Sequence, residues 1–199
     1  GEGETMKAAA CAKHFAVHSG PEELRHEFDA QVSPKDLRET YLPAFQALVE
    51  EGKVEAVMGA YNRVNGEAAC ASPSLQKILR GEWKFQGHFV SDCWAIRDFH
   101  ENHMITATPK ESAALAVNNG CDLNCGNTYL HVLKAYEAGM ITEETITESV
   151  IRLFTTRYLL GMFEGSEYDA IPYSEVESPR HLFLARKAAE ESIVLLKNN

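Results

Sequence analysis

The sequence predicts an α/β fold of alternating strands and helices, and three observations carry that expectation. Short, nearly continuous apolar runs of strand length recur at residues 8–15, 54–61, 88–93 and about 121–124. Such runs suit strands covered on both faces, as in a parallel sheet. Each run is followed by a loop and then by a stretch of helical periodicity, the pattern of an α/β fold. Polar residues gather where the runs end: Lys13 and His14, Tyr61 and Asn62, Asp92 and Cys93, Asp122 and Asn124. In a (β/α)8 barrel the C-terminal ends of the strands carry the chemistry, and a full barrel needs eight strand–helix units. About four are visible, so the chain is expected to be the C-terminal part of a TIM-type (β/α)8 barrel.

The helices are marked by their starts. Ser33-Pro34, Ser72-Pro73, Thr108-Pro109 and Ser178-Pro179 each place a hydroxyl before a proline. The hydroxyl can accept one of the orphan N–H groups of a first turn, and proline has no N–H to leave unpaired there. Thr108 with Glu111 also reads as a capping box. From Ser33 an amphipathic helix carries Leu37, Tyr41, Phe45 and Leu48 towards Gly52. Further helices are expected over about 73–80, 109–118 and 129–138, and a long one from Thr142 to before Gly161. Residues 163–178 lose periodicity and have linker composition. A helix over about 179–191 follows, and then Ile193–Lys197 reads as a buried strand that opens a second domain.

Composition narrows the function. The chain has 199 residues, 45% hydrophobic and 24% charged, with a net charge of -10. That charge excludes an electrostatic nucleic-acid surface, which needs clustered Lys and Arg. No apolar run approaches the roughly 18–20 residues of a membrane span, so no membrane partner is expected. Gly1 to Thr5 show neither the basic start nor the apolar stretch of a signal peptide. The five cysteines, Cys11, Cys70, Cys93, Cys121 and Cys125, contain no CxxC pair, which argues against a structural zinc. Free thiols are expected to be buried.

Asp92 is the leading candidate for chemistry, because a carboxylate at the end of an apolar strand must be matched by donors or cations. It can serve as a nucleophile at a sugar's anomeric carbon, or it can cap a helix or fix a loop. Lys13, His14 and Arg25 can donate to hydroxyls, or form surface pairs. Tyr61 precedes a turn at Asn65-Gly66 and can reach a neighbouring carboxylate. Met58 and Trp94 can wall a sugar pocket or fill core.

Taken together the segments resemble glycoside hydrolase family 3. The matching stretches are Lys13-His14-Phe15, Arg25 with Leu37 to Phe45, Val57 to Gly66, Val90-Ser91-Asp92, Leu160 to Phe163 and Ala188 to Asn198. The resemblance implies a retaining exo-β-glycosidase without metal or cofactor, acting on terminal β-D-glucosyl or β-D-xylosyl residues of oligosaccharides. It implies Asp92 as nucleophile, and Lys13, His14, Arg25, Met58, Tyr61, Cys93 and Trp94 as substrate-binding residues. Residues 1–163 would be part of the barrel, 164–178 the linker and 179–199 the first elements of an α/β-sandwich domain. The acid/base would be a glutamate of that second domain beyond residue 199, and other sugar-gripping residues would lie before residue 1. The chain alone would then be inert, a catalytically incomplete carbohydrate-binding piece. Cys93, where many relatives have Trp, together with Cys125 resembles the family's xylosidase-like branch, in which these two cysteines are neighbours.

Overall fold

Three parallel strands form the frame, in the computed structural model, which describes residues 3 and 5–198. They are β1 (Cys11–Phe15), β3 (Ala56–Gly59) and β6 (His88–Ser91), in the order β1-β3-β6. The register pairs Cys11 with Ala56 and Met58 with Val90. Phe15, Val57 and Phe89 are fully buried, as strands roofed by helices require. Each such aromatic or branched side chain contributes about 1.5–3 kcal/mol by leaving water. Leu42, Leu75, Leu79, Ile96 and Phe99 complete the same core.

Between β1 and β3 lie α1 (Pro34–Asp36), a wide turn over Leu37–Tyr41 and α2 (Pro43–Glu50). The single helix expected after Ser33 is thus divided. Pro43 supplies no N–H, and Leu42 bonds back five residues to Leu37 instead. Between β3 and β6 lies α3 (Pro73–Gln76), again continued by a wide turn, Lys77–Glu82. After β6 come α4 (Ala95–Glu101), α5 (Pro109–Asn118), α6 (Val132–Glu137) and α7 (Glu143–Leu159). The capping signals hold for Ser33, Ser72, Thr108 and Thr142, whose side chains accept from the N–H three residues on. At Thr108 the box is open: Glu111 accepts from the Ala107 N–H, not from Thr108. Ser178 makes no such cap.

A small second sheet was not foreseen. β2 (Asp29–Ala30) runs parallel to β4 (Arg63–Val64), which turns back antiparallel into β5 (Glu67–Ala68). The expected turn at Asn65-Gly66 joins the last two, with φ of 50° and 89° at those residues. The Asn65 amide clamps Val32 on both sides, accepting from its N–H and donating to its carbonyl.

The strand expected over residues 121–124 is reduced to one bridge, Leu123 beside Val90. The N–H groups of Asp122 and Leu123 both point at the Phe89 carbonyl, which a regular ladder does not allow. Asp122 turns its carboxylate into the core, where it accepts from the Phe89 N–H at 2.8 Å, Arg80 at 2.8 Å and Arg152 at 3.0 Å. It therefore ties α7 and the turn after α3 to β6, and is no part of a site at the strand ends.

The chain divides into two compact units, Gly1–Phe163 and Glu164–Asn199. The second holds two short 3-10 turns and α8 (Pro179–Ser192). The buried strand expected over Ile193–Lys197 does not form, and Leu196 is 92% exposed. A strand needs a neighbour for its N–H and C=O groups, and the described residues supply none. Among the described residues no helix is long and apolar enough to cross a membrane.

Candidate active site

Because β1, β3 and β6 run parallel, their C-terminal ends share one edge of the sheet, the edge at which open α/β sheets bind ligands. Asp92 follows β6 directly and is 8% exposed. Its N–H donates to the Gly59 carbonyl at 3.2 Å, which locks it to β3. Oδ1 accepts from the Cys93 N–H at 2.7 Å, and Oδ2 lies 3.4 Å from Nε2 of His14. A backbone donor and an imidazole thus replace water lost on burial.

Tyr61 stands beside the same carboxylate. Burial pushes its phenol above the ordinary value, and the Asp92 charge pushes the same way. The hydroxyl therefore keeps its proton beside the carboxylate. Burial lowers the His14 imidazole, against the opposing pull of Asp92, and the Lys13 and His18 charges lower it further. Lys13 itself is exposed on β1, and Met58 is half-buried on β3. Arg25 does not reach Asp92; it pairs with Glu22 and lies 5.4 Å above the Tyr61 ring.

The far wall is built by the segment after the Leu123 bridge. Ser91 Oγ accepts from the Asn124 amide at 3.2 Å and from the Cys125 N–H at 3.0 Å. Cys93 and Cys125 are bonded, with Cα atoms 4.4 Å apart. The bridge closes a loop with a sequence separation of 32, worth about 3–4 kcal/mol in the chain-entropy account. Trp94 is 47% exposed with φ of 70°, and its N–H donates to the Cys125 carbonyl at 2.6 Å. It is not core, as the blander expectation had it. Gly126 sits beside Trp94 with φ of 142°, a backbone conformation in which any side chain would be strained. Cys70 and Cys121 are buried as expected, and burial pushes the Cys121 thiol up to about 12. Cys11 is exposed, because it opens β1 on the uncovered face.

Sequence reasoning missed helix α4, three side chains near Tyr61, namely His18, His26 and Asp98, and the buried His103. His18 bonds Asn62 at 3.2 Å, and its ring lies 5.3 Å from that of His14. The recurrence of histidine at 14, 18 and 26 was the available signal. His103 packs on Phe99 at 6.1 Å and is 5% exposed. Burial first, and the Arg63 charge second, take its pKa from 6.5 to about 4. A histidine lowered in the fold binds a proton more readily when unfolded, so stability is expected to fall as pH drops from 6.5 towards 4. The shift allows a loss of about 3 kcal/mol. Unfolding midpoints at pH 7.5 and 4.5 should converge less in wild type than in His103→Phe; equal pH slopes would refute this.

The sequence and the fold have counterparts among known proteins. Residues 3–156 match the family description "Glycosyl hydrolase family 3 N terminal domain". The chain belongs to glycosyl hydrolase family 3. It is 44% identical to a probable exo-1,4-beta-xylosidase of Aspergillus clavatus, over 96% of this chain and 26% of that one. It is 41% identical to a xylan 1,4-beta-xylosidase of Xylanibacter ruminicola, over 96% of this chain and 23% of that one. Among solved structures, a family 3 exo-beta-xylosidase in complex with a xylobiose aziridine activity-based probe superposes with TM-score 0.92 and 32% identity. It covers 100% of this chain and 27% of its own. A beta-glucosidase from Listeria innocua in complex with isofagomine gives TM-score 0.84 and 33% identity, over 96% and 27%. The chain thus spans about a quarter of the length of its family 3 relatives. It shares their mixed α/β fold and groups with the xylosidase-like branch.

Proposed function

We propose that this chain supplies the nucleophile half of a retaining exo-β-glycosidase that removes terminal, non-reducing β-D-xylosyl or β-D-glucosyl residues from oligosaccharides. The observation that carries the reading is the buried Asp92 carboxylate at the shared strand edge, met by His14, Tyr61 and a backbone N–H. A carboxylate fixed in this way presents a lone pair without needing to move. In the first step Asp92 forms a bond to the anomeric carbon as the glycosidic bond breaks and an acid protonates the leaving oxygen. In the second, water releases the sugar and the same group takes the water's proton. No glutamate of this chain is assigned that acid/base role, and the activity is proposed for the full-length protein. No metal or cofactor enters either step.

Lys13 and His14 are read as donors to sugar hydroxyls, and Arg25 as a further donor if it leaves Glu22. Met58, Trp94 and the Cys93–Cys125 bridge are read as pocket walls. The xylosidases among the relatives and the bonded cysteine pair favour xylose over glucose. Residues 1–163 are read as part of a (β/α)8 barrel, 164–178 as a linker and 179–199 as the start of an α/β sandwich. Proton NMR of the first turnovers of an aryl β-xyloside by the full-length protein is expected to show the β-anomer appearing first. First appearance of the α-anomer would sink the retaining assignment.

A further inference from the structure

Asp98 has a buried carboxylate yet touches none of the groups assigned above to the sugar or to the reacting atoms. It lies on α4, the helix that begins three residues after Asp92. Its Oδ2 accepts from Nδ1 of His26 at 2.8 Å, and its Oδ1 accepts from the Asn102 amide at 2.6 Å. The other ring nitrogen of His26, Nε2, accepts from Nε of Arg25 at 3.2 Å. These two bonds are compatible with one tautomer only: a neutral ring with its proton on Nδ1. His26 then packs edge-on to Tyr61, ring centroids 4.5 Å apart, and Arg25 covers that ring at 5.4 Å. Tyr61 in turn stands beside Asp92, whose charge helps raise its phenol.

We infer that Asp98 and His26 are positioning residues that hold the Tyr61 ring, and with it the phenol, beside the Asp92 carboxylate. The chain of contacts runs Asn102, Asp98, His26, Tyr61 and ends beside Asp92. A tyrosine at a loop end has two side-chain torsions to fix, and its own backbone cannot fix the ring. The pair supplies that constraint from a helix, which is more rigid than a loop. Burial raises the Asp98 carboxyl, while the His26 and Asn102 bonds oppose that rise, as fits a group that accepts hydrogen bonds without competition from solvent.

This inference rests on the reading of Asp92 as nucleophile, and the test separates the two. The full-length enzyme is assayed as wild type, Asp98→Asn, Tyr61→Phe and the double variant, with His26→Ala and His26→Asn alongside. The readouts are kcat, KM and the rate of covalent labelling by a 2-deoxy-2-fluoro-β-xyloside. Misplacing a catalytic contact by a fraction of an ångström is expected to slow labelling by about tenfold in Asp98→Asn, with KM changed by less than about threefold. In the Tyr61→Phe background, which has no hydroxyl left to place, Asp98→Asn should cost less than about twofold. His26→Asn, which keeps a donor near the Nδ1 position, should retain more activity than His26→Ala; it also carries the test if Asp98→Asn fails to fold. Equal losses in both backgrounds, or equal losses in both His26 variants, overturn the positioning role. Labelling of wild type at a residue other than Asp92 overturns the nucleophile reading instead.

Discussion

Asp92→Gly or Asp92→Asn is expected to lower kcat of the full-length enzyme by about 10⁴-fold, a loss of the size seen when a nucleophilic group is deleted from a preorganised site. Folding should be little affected. Asp92 owes its place to its backbone, whose N–H is held by Gly59 and whose carbonyl accepts from Ala95. The carboxylate itself makes one firm hydrogen bond, to the Cys93 N–H, and a looser contact to His14. An asparagine keeps the shape and the backbone bonds but cannot form a stable bond to the anomeric carbon. Added azide should enter the space opened by Asp92→Gly and give a glycosyl azide of inverted configuration. Unchanged turnover in either variant would remove Asp92 from the mechanism.

The second large effect is expected at the other strand-end aspartate. Asp122→Ala should destabilise the fold by about 3–5 kcal/mol, because it leaves Arg80 and Arg152 facing the interior without their shared counter-charge. The Asp122 side chain is 0% exposed, against 19% for Arg80 and 26% for Arg152. It also satisfies the N–H of Phe89 in the middle of β6, which alanine would strand. Differential scanning calorimetry should show a fall of several degrees in the transition assigned to this unit, with KM unchanged in the fraction still folded. An unaltered midpoint would show that water or another carboxylate takes over the two guanidinium groups.

These two aspartates show what was legible in the sequence. Both end an apolar run and both are followed by a cysteine or an asparagine within two residues. Local pattern could not say that one faces the shared edge and the other folds back on Arg80 and Arg152. That is decided by partners 42 and 30 residues away in the chain. Helix starts were legible because the hydroxyl–proline signal acts within four residues, and it held at Ser33, Ser72 and Thr108. Helix α4 was missed because its first turn has no such signal; it begins from Trp94 in the left-handed region. The β2–β4–β5 sheet was missed because two-residue strands have no period to read. His26 and Asp98, 72 residues apart, meet only once the fold has formed. The Asn65-Gly66 turn, by contrast, is set by those two residues alone. At the site, the nucleophile candidate and its neighbours His14 and Tyr61 came from the ordered set of family 3 motifs. The structure then placed Arg25 against Tyr61 rather than Asp92.

The most direct measurement is peptide mass spectrometry of the full-length protein after inactivation by 2-deoxy-2-fluoro-β-xyloside and, separately, by the glucoside. The account predicts one covalent sugar on the peptide that contains Asp92, formed faster with the xyloside. A sugar attached to any other residue, or efficient turnover with no trapped adduct, would contradict it.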